Sequence, residues 1–280
     1  IVWHSRVPQM LTATFCGAAL ATCGLLLQTA FRNPLAGPSI LGIDSGASLG
    51  VAVAMMFFGG SLTMGGLSLG GYMLTIAAAL AGAMGIMVLL SALNALLRST
   101  VMLLITGVII SYITGSLISL LQFWASHDGL QAYVLWGMGN FSSVSTERLP
   151  FFIGLVAIGL VMALLMMKPL DALLLGDRYA QNLGVNTTRT RHMLLLATGL
   201  LSAITTAFCG PVSFIGLATP HMARFLSPSG SHRSLLPHTI ALGASIALAC
   251  NLLCNLPKSS VLPINVLTPL IGAPVIVYHI

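Results

Sequence analysis

The chain has 280 residues, of which 6% are charged and 57% are apolar. A soluble domain carries about 25% charged residues, so this composition excludes a soluble enzyme, a nucleic-acid-binding protein and a disordered chain. A mean hydropathy of +1.00 predicts an integral membrane protein surrounded by a lipid bilayer. The net charge of +6 needs no acidic partner, because the cytoplasmic loops of membrane proteins are rich in Lys and Arg.

Nine apolar segments with few or no charges follow one another along the chain. A membrane-crossing helix needs about 20 such residues. The predicted spans are 7–31, 40–58, 72–95, 99–127, 149–167, 192–209, 212–226, 234–257 and 259–280. A Gly-rich run separates the second span from the third. Gly210-Pro211 breaks the region 192–226, which holds either two short helices or one helix and a re-entrant piece. No stretch alternates as a barrel strand does, so we expect an all-α, polytopic helical bundle forming one domain, 1–280.

Basic residues predict the orientation of this bundle. Alternate connections place eight on one side, namely Arg32, Arg98, Lys168, Arg178, Arg189, Arg191, Arg224 and Arg233, and three on the other, namely Arg6, Arg148 and Lys258. The positive-inside rule then puts the larger group in the cytoplasm and the N-terminus outside. Bacterial membrane proteins more often begin inside, so we expect that a first helix is missing and that the full protein has ten spans.

Small residues and one acid stand out within the spans. Gly42, Gly46 and Gly50 are spaced four apart, a stripe that favours close packing of one helix against another. Asp44 is predicted to lie near the cytoplasmic end of its span, facing the positive end of the helix dipole. Intramembrane acids often mark proton or ion relays, so that function stays open for Asp44. The sequence has no P-loop and no metal-ligand spacing, so we expect neither ATP nor a metal on this chain.

The most polar part of the chain is the segment 168–191, which carries six of the 16 charged residues. Asp171 is predicted to cap a short helix that ends at Gly176. Asp177 is predicted to cap a second helix, 178–183, with Gly184 in the left-handed closing position. Apolar side chains are then available to dock another protein, namely Leu173, Leu174, Tyr179 and Leu183. The alternative is an ordinary solvated loop.

Four strings of the sequence resemble one permease family. They are QTAFRNPLAGPSILGIDSGASLG (28–50), LLLGDRYAQNLGV (173–185), GPVSFIGLATPHMARFL (210–226) and LPINVLTPLIGAPVIVY (262–278). Each resembles, in family order, a motif of the FecCD-type, or type II, importers of iron-siderophores, haem and cobalamin. Members of that family have ten spans, in agreement with nine spans here and a missing first helix.

The resemblance implies a multi-pass permease of an ATP-driven importer in the bacterial inner membrane. A homodimer of permeases would form the channel, two ATP-binding subunits would hold ATP and Mg, and a periplasmic substrate-binding protein would deliver the cargo. The chain itself would be no enzyme and would bind no cofactor. Ferric siderophore is the first expected cargo, with cobalamin and haem open. The alternative is an ion-coupled secondary transporter, for which Asp44 is the sole candidate ion site.

The resemblance also implies roles for particular residues. Coupling to the ATPase would fall to Leu175, Gly176, Asp177, Arg178, Tyr179, Ala180, Leu183 and Gly184, within a coupling loop that spans 168–191. The cytoplasmic gate would comprise Asn33, Pro34, Leu35, Ser99 and Thr100, and the span 101–122 would line much of the pathway. Arg6 would dock the binding protein. The family often has a second Arg where this chain has Gln9, and Lys258 on the same face would compensate.

Overall fold

The structure is a computed structural model that describes residues 2–57, 61–64, 67–96, 100–227, 229–256 and 262–279. Twelve α-helices and one β-hairpin make up most of these residues. The helices are α1 (Val7–Phe31), α2 (Ile43–Phe57), α3 (Gly71–Leu96), α4 (Thr100–Trp124), α5 (His127–Gly137), α6 (Leu149–Leu165), α7 (Met167–Leu174), α8 (Asp177–Asn182), α9 (Thr187–Cys209), α10 (Ile215–Leu226), α11 (His232–Cys254) and α12 (Ile264–His279). The hairpin pairs β1 (Ser61–Met64) with β2 (Leu67–Gly70).

A helix occupies each of the nine predicted spans, but the helices differ in length. In the described part of the chain, five are long and apolar enough to cross a membrane, namely α1, α3, α4, α9 and α11. A sixth crossing results if α6 and α7, which meet at an angle of 50°, are taken together. The remaining three are shorter; α10, with 12 residues, extends only about 18 Å. Helix length alone therefore supports fewer crossings than the nine predicted.

The Gly-rich break between the second and third predicted spans contains the hairpin, which was not predicted. Leu62 pairs with Leu69 and Thr63 with Ser68 in antiparallel register. The sequence between the strands is Gly65-Gly66, a pair typical of two-residue hairpin turns. The fold is thus helical apart from this one short element among the described residues.

The centre of the bundle is α1, which is buried along most of its length. Small residues on this helix allow its neighbours to approach closely. A Cβ on Gly17 would overlap the carbonyl oxygen of Gly243 in α11, and a Cβ on Gly24 would overlap that of Gly216 in α10. These contacts fix α10 and α11 directly against the backbone of α1.

Of the three glycines predicted to share one packing helix, two do so. Gly46 and Gly50 lie in α2 and face the backbone of α3 at Gly82 and Ala78. Gly42 has a φ of +76° and ends a 3-10 turn before α2 begins. A Cβ on Gly42 would lie 3.1 Å from the carbonyl oxygen of Gly107 in α4. The prediction of one stripe was therefore wrong for Gly42, because the chain turns there rather than continuing as a helix.

The start of α2 lies inside the bundle rather than at its end. A Cβ on Gly216 would lie 2.7 Å from the carbonyl oxygen of Leu20 and 3.2 Å from Cδ of Pro38. Leu20 is close to the middle of α1, so the chain after α1 returns into the bundle before α2 begins. The 15 residues of α2 extend about 22 Å. A helix of this length that starts near the middle of the bundle is long enough to reach one end of it.

Candidate functional site

The predicted gate loop, Asn33–Leu35 and called the gate loop below, begins where α1 ends. Arg32 ends the helix in the left-handed conformation, with a φ of 47°. The Asn33 side chain then accepts a hydrogen bond from the backbone N–H of Leu35 at 2.9 Å, a local turn that Asn favours. The Leu35 side chain remains 41% exposed. The loop thus presents an apolar side chain from a backbone that is fixed by its own hydrogen bonds.

A histidine from the third family-like string holds this loop in place. Nε2 of His221, in α10, lies 2.9 Å from the carbonyl oxygen of Pro34. Nearby, the Gln28 side chain donates to the carbonyl oxygen of Leu217 at 3.2 Å. The sequence did not identify His221 as a partner of the gate loop. The available signal was that the first and third strings both resemble motifs of the same family.

The other predicted gate residues start α4. Ser99 lies outside the described residues, and Thr100 is the first residue of the helix. The next residue, Val101, borders a cleft of about 190 Å³ together with Phe31 and Arg32. The structure therefore brings the start of α4 close to the end of α1, where the gate loop begins.

The coupling segment, 168–191, contains two short helices, α7 and α8. Gly184 has a φ of +81°, as predicted. Its N–H donates to the carbonyl oxygen of Gln181, and that of Val185 donates to the carbonyl oxygen of Ala180, both at 2.9 Å. This pair of bonds is a Schellman motif, which satisfies the last free carbonyls of a helix. The end of α8 is consequently closed rather than frayed.

Neither Asp171 nor Asp177 caps its own helix, so both capping predictions were wrong. Residue Gly176 precedes α8, and no side chain caps that helix. Asp177 is its first residue and instead accepts a hydrogen bond from Arg191 of α9 at 2.6 Å. Arg32 approaches the same carboxylate at 3.9 Å. Charges more distant in sequence attracted this side chain more strongly than the adjacent backbone did.

Asp171 lies within α7 and binds the start of α11. Its carboxylate accepts hydrogen bonds from the backbone N–H of His232 at 2.8 Å and from the Ser231 hydroxyl at 2.9 Å. Nδ1 of His232 lies 2.7 Å from the same carboxylate. Burial alone would raise the pKa of Asp171, but these bonds outweigh it, so the pKa lies below its ordinary value. The carboxylate is therefore ionised and acts as an anchor.

The coupling segment has one exposed apolar ridge and one buried side. The exposed apolar side chains are Leu174, Leu175, Tyr179 and Leu183, and Arg178 is exposed beside them. Ala172, Leu173 and Ala180 instead form a small core under α8. Leu173 and Ala180 are thus unavailable for the direct docking contacts predicted for them, because they hold the two helices together.

The predicted docking residue at the opposite end, Arg6, is fixed by α11. Its guanidinium donates to the Asn255 side chain at 2.6 Å. Gln9 is buried and donates to the Asn251 side chain at 2.9 Å. Gln9 is therefore a packing residue here, and Arg6 is the exposed cation that it helps to place. Lys258 lies outside the described residues.

Asp44 lies deeper than predicted. Its carboxylate accepts hydrogen bonds from the hydroxyls of Ser202 at 2.6 Å and Thr206 at 3.0 Å. Ser202 stands 15 residues after the first residue of α9 and 7 before the last, so Asp44 is far from the end that carries the coupling segment. The prediction of a cytoplasmic-end position was wrong, because the chain re-enters the bundle before α2 begins.

Among the described residues, no group of three or more His, Cys, Asp or Glu side chains is arranged to hold a metal ion. The chemical content of the site is instead a set of hydrogen bonds and ion pairs that join separate elements. Such an arrangement fixes the positions of the elements that it joins.

Comparison with known proteins gives one consistent result. A family model described as the FecCD transport family matches residues 1–280. The vitamin B12 import system permease protein BtuC of Klebsiella pneumoniae is 34% identical over 278 residues, which cover 99% of this chain and 81% of that protein. BtuC of Vibrio cholerae is 33% identical over 281 residues, covering 99% and 82%.

Solved structures agree with these sequence matches. A metal-chelate type ABC transporter in an inward-facing conformation superimposes with a TM-score of 0.90 at 32% identity, covering 100% of this chain and 88% of that one. PsaBC from Streptococcus pneumoniae, in complex with Fab, has a TM-score of 0.63 at 16% identity, covering 97% and 89%. The second likeness concerns the fold alone.

Proposed function

Because the chain belongs to the FecCD transport family, we propose that it is the membrane permease subunit of a type II ABC importer whose cargo is a metal chelate. Membership in this family makes the chain a translocation subunit rather than an enzyme, with ATP hydrolysis on a separate subunit. Family membership therefore argues against the alternative hypothesis of an ion-coupled secondary transporter, although Asp44 does lie inside the bundle.

The observation that carries the proposal is that α8 is a closed helix and that it and the end of α7 present an exposed apolar ridge. A frayed loop would dissipate an applied force, whereas a helix closed by a Schellman motif and anchored by an ion pair moves as a rigid body. We infer that this ridge docks an ATP-binding subunit and that two such subunits hold ATP and Mg. This chain would then bind neither.

A second permease copy would complete the pathway. Large apolar side chains on α4 are exposed along most of the helix. They are Val101, Met102, Ile105, Ile109, Tyr112, Ile113, Leu117 and Leu120. In a homodimer, this face would border the pathway and the gate loops would close its cytoplasmic end. An apolar face in a membrane protein lies against lipid or against another helix, and we assign this one to the second copy.

The membrane arrangement follows from the same proposal. We infer nine crossings, in which α6 crosses without α7. The shorter helices α2, α10 and α12 would be completed by non-helical chain, like the segment between α1 and α2. The chain would form one domain in the bacterial inner membrane, with the coupling segment in the cytoplasm. Arg6, held by Asn255, would then face the periplasmic binding protein, and Lys258 would lie on the same side.

Three chelates are candidates for the cargo, namely cobalamin, a ferric siderophore and haem. Curated relatives at 33–34% identity import vitamin B12, which supports cobalamin, whereas the sequence resemblance alone favoured ferric siderophore. The test is uptake into liposomes that contain this permease, its ATPase and its binding protein. Labelled cobalamin, a ferric siderophore and haem are supplied in turn. We expect uptake of one chelate that requires ATP inside the liposome; ATP-independent uptake driven by an ion gradient would refute the proposal.

A further inference from the structure

The last full turn of α1 is connected to the coupling segment by a chain of side chains. Oγ1 of Thr29 lies 2.8 Å from Nε2 of His232. Nδ1 of the same ring lies 2.7 Å from the Asp171 carboxylate in α7. Thr29 is 4% exposed and His232 only 1%. One imidazole ring therefore spans the distance between the helix that precedes the gate loop and the segment assigned to the ATPase.

An ionised Asp171 and a neutral His232 ring together set the direction of these hydrogen bonds. An ionised Asp171 only accepts, so Nδ1 of His232 carries a hydrogen and donates it. In the neutral ring, Nε2 is then an acceptor and receives the hydroxyl hydrogen of Thr29. Each group has the partner that its protonation requires, and burial keeps water from competing for it.

A second connection reaches the same end of α1. Arg32, which ends α1, follows Thr29 by three residues. Its guanidinium donates to the carbonyl oxygen of Leu173 at 3.0 Å and lies 3.9 Å from the Asp177 carboxylate. The gate loop begins with the next residue, Asn33. The coupling segment thus holds α1 at two points immediately before the gate.

We propose that Thr29, His232 and Asp171 form a positioning link that carries movement of the coupling segment to the gate loop. This inference rests on the proposed function, because it presumes that an ATPase moves that segment. The three residues would act through the position of Asn33–Leu35. The exposed Arg32 contact supports the link but is open to solvent, where ion pairs contribute little.

The test measures the gate itself. Leu35→Cys is introduced into a chain whose five native cysteines are replaced, and the permease is assembled with its ATPase. A maleimide then reports the accessibility of position 35 with and without ATP. In this background we expect Thr29→Val to reduce the ATP-induced change in labelling rate roughly three- to tenfold, the factor that one hydrogen bond contributes to an equilibrium, while ATP hydrolysis continues.

Two control variants isolate the hydroxyl of Thr29. Thr29→Ser keeps it, so the ATP response should stay within about twofold of the parent, given that only the hydroxyl makes the bond. Thr22→Val alters another buried Thr of α1, whose hydroxyl donates to the carbonyl oxygen of Ala18 in its own helix. That variant tests the general cost of removing a hydroxyl from α1 and should also preserve the response.

The ring of His232 is tested from both sides. His232→Asn places an amide near the position of Nδ1 and can still reach Asp171, whereas His232→Gln reaches towards Thr29. Neither side chain spans both partners, so both variants should reduce the ATP response at least as much as Thr29→Val does. Combining Thr29→Val with His232→Gln should be no worse than His232→Gln alone, as residues of one link are not additive.

The outcomes separate the two levels of the inference. An unchanged ATP response in Thr29→Val, or an equal loss in Thr22→Val, would show that the chain of bonds is only structural. A parent complex that hydrolyses ATP and transports its chelate without any change at position 35 would remove Leu35 from the gate and overturn the link. A parent complex without ATP-dependent transport would overturn the proposed function itself.

Discussion

Gly184 closes α8 in a conformation that a β-branched residue adopts only with strain. At a φ of +81°, Gly184→Val should cost about 1–3 kcal/mol locally and open the Schellman motif. We expect the variant to insert in the membrane and to lose chelate transport. Gly184→Asn is the matched control, because Asn tolerates the left-handed region. Transport and ATP hydrolysis are measured on the same reconstituted sample; normal coupling in Gly184→Val would show that the loop is only a connector.

Asp44 offers a test between structural and ion-relay roles. The hydroxyls of Ser202 and Thr206 donate to it, and an amide oxygen can accept the same bonds. Asp44→Asn should therefore keep both stability and transport. Asp44→Leu leaves these hydroxyls without that partner and should lower stability by about 1–3 kcal/mol. Thermal unfolding in detergent and ATP-driven uptake are the measurements, and complete loss of uptake in Asp44→Asn would indicate an ion relay.

Gly184 shows where sequence reasoning succeeds, and the two acids of the coupling segment show where it does not. The φ of Gly184 was predictable, because closing a helix is a local matter decided within a few residues. The partners of Asp171 and Asp177 were not, because they lie 61 and 14 residues away in sequence. An Asp that caps its own helix and an Asp that binds another helix have the same local sequence pattern. Only the tertiary structure decides which of the two contacts forms.

The close contacts of helix α1 with its neighbouring helices depend on glycines, which have no Cβ. Gly24→Ala would place a methyl group against the backbone of Gly216, and such overpacking costs typically about 1–3 kcal/mol. Gly154→Ala, in α6, meets no atom within 4 Å and should be neutral or gain up to about 1 kcal/mol from helix propensity. Thermal unfolding of the two purified variants checks this, and equal effects would contradict the packing argument.

Helix positions were predictable from apolar content, whereas helix lengths were not. The segment 40–58 reads as one full span, yet α2 begins only at Ile43 because Pro38 lies beside α10 near the middle of α1. Likewise α10 starts after the break at Gly210-Pro211 and remains short. Hydropathy shows that a segment lies in the membrane but does not show at which depth its helix begins.

For the molecule as a whole, the polar contacts of four basic residues are consistent with the predicted division of charges between two sides. Arg32, Asp177 and Arg191 meet at one end, whereas Arg6 contacts Asn255 and Arg148 lies over the ring of Tyr72 elsewhere. The contacts support this division without deciding which end is cytoplasmic. That assignment still depends on the positive-inside rule.

Cysteine labelling of intact cells tests this orientation. In a background without native cysteines, Thr146→Cys should react with an impermeant thiol reagent from outside. Thr188→Cys, within the coupling segment, should react only after permeabilisation. Both native side chains are exposed, so labelling reports the side of the membrane rather than burial. The reverse pattern would invert the orientation.

The coupling segment separates its contacts into two independent sets of residues. The ridge of Leu174, Leu175, Tyr179 and Leu183 faces away from the bundle, while Asp171 and Asp177 face inward and are held by α11 and α9. The outer set can consequently diverge to suit a different ATPase while the inner set stays constant. Exchanging only the ridge between two importers would let a permease bind the ATPase of the other importer. Exchanging the whole segment would require His232 to be exchanged as well, because it binds Asp171.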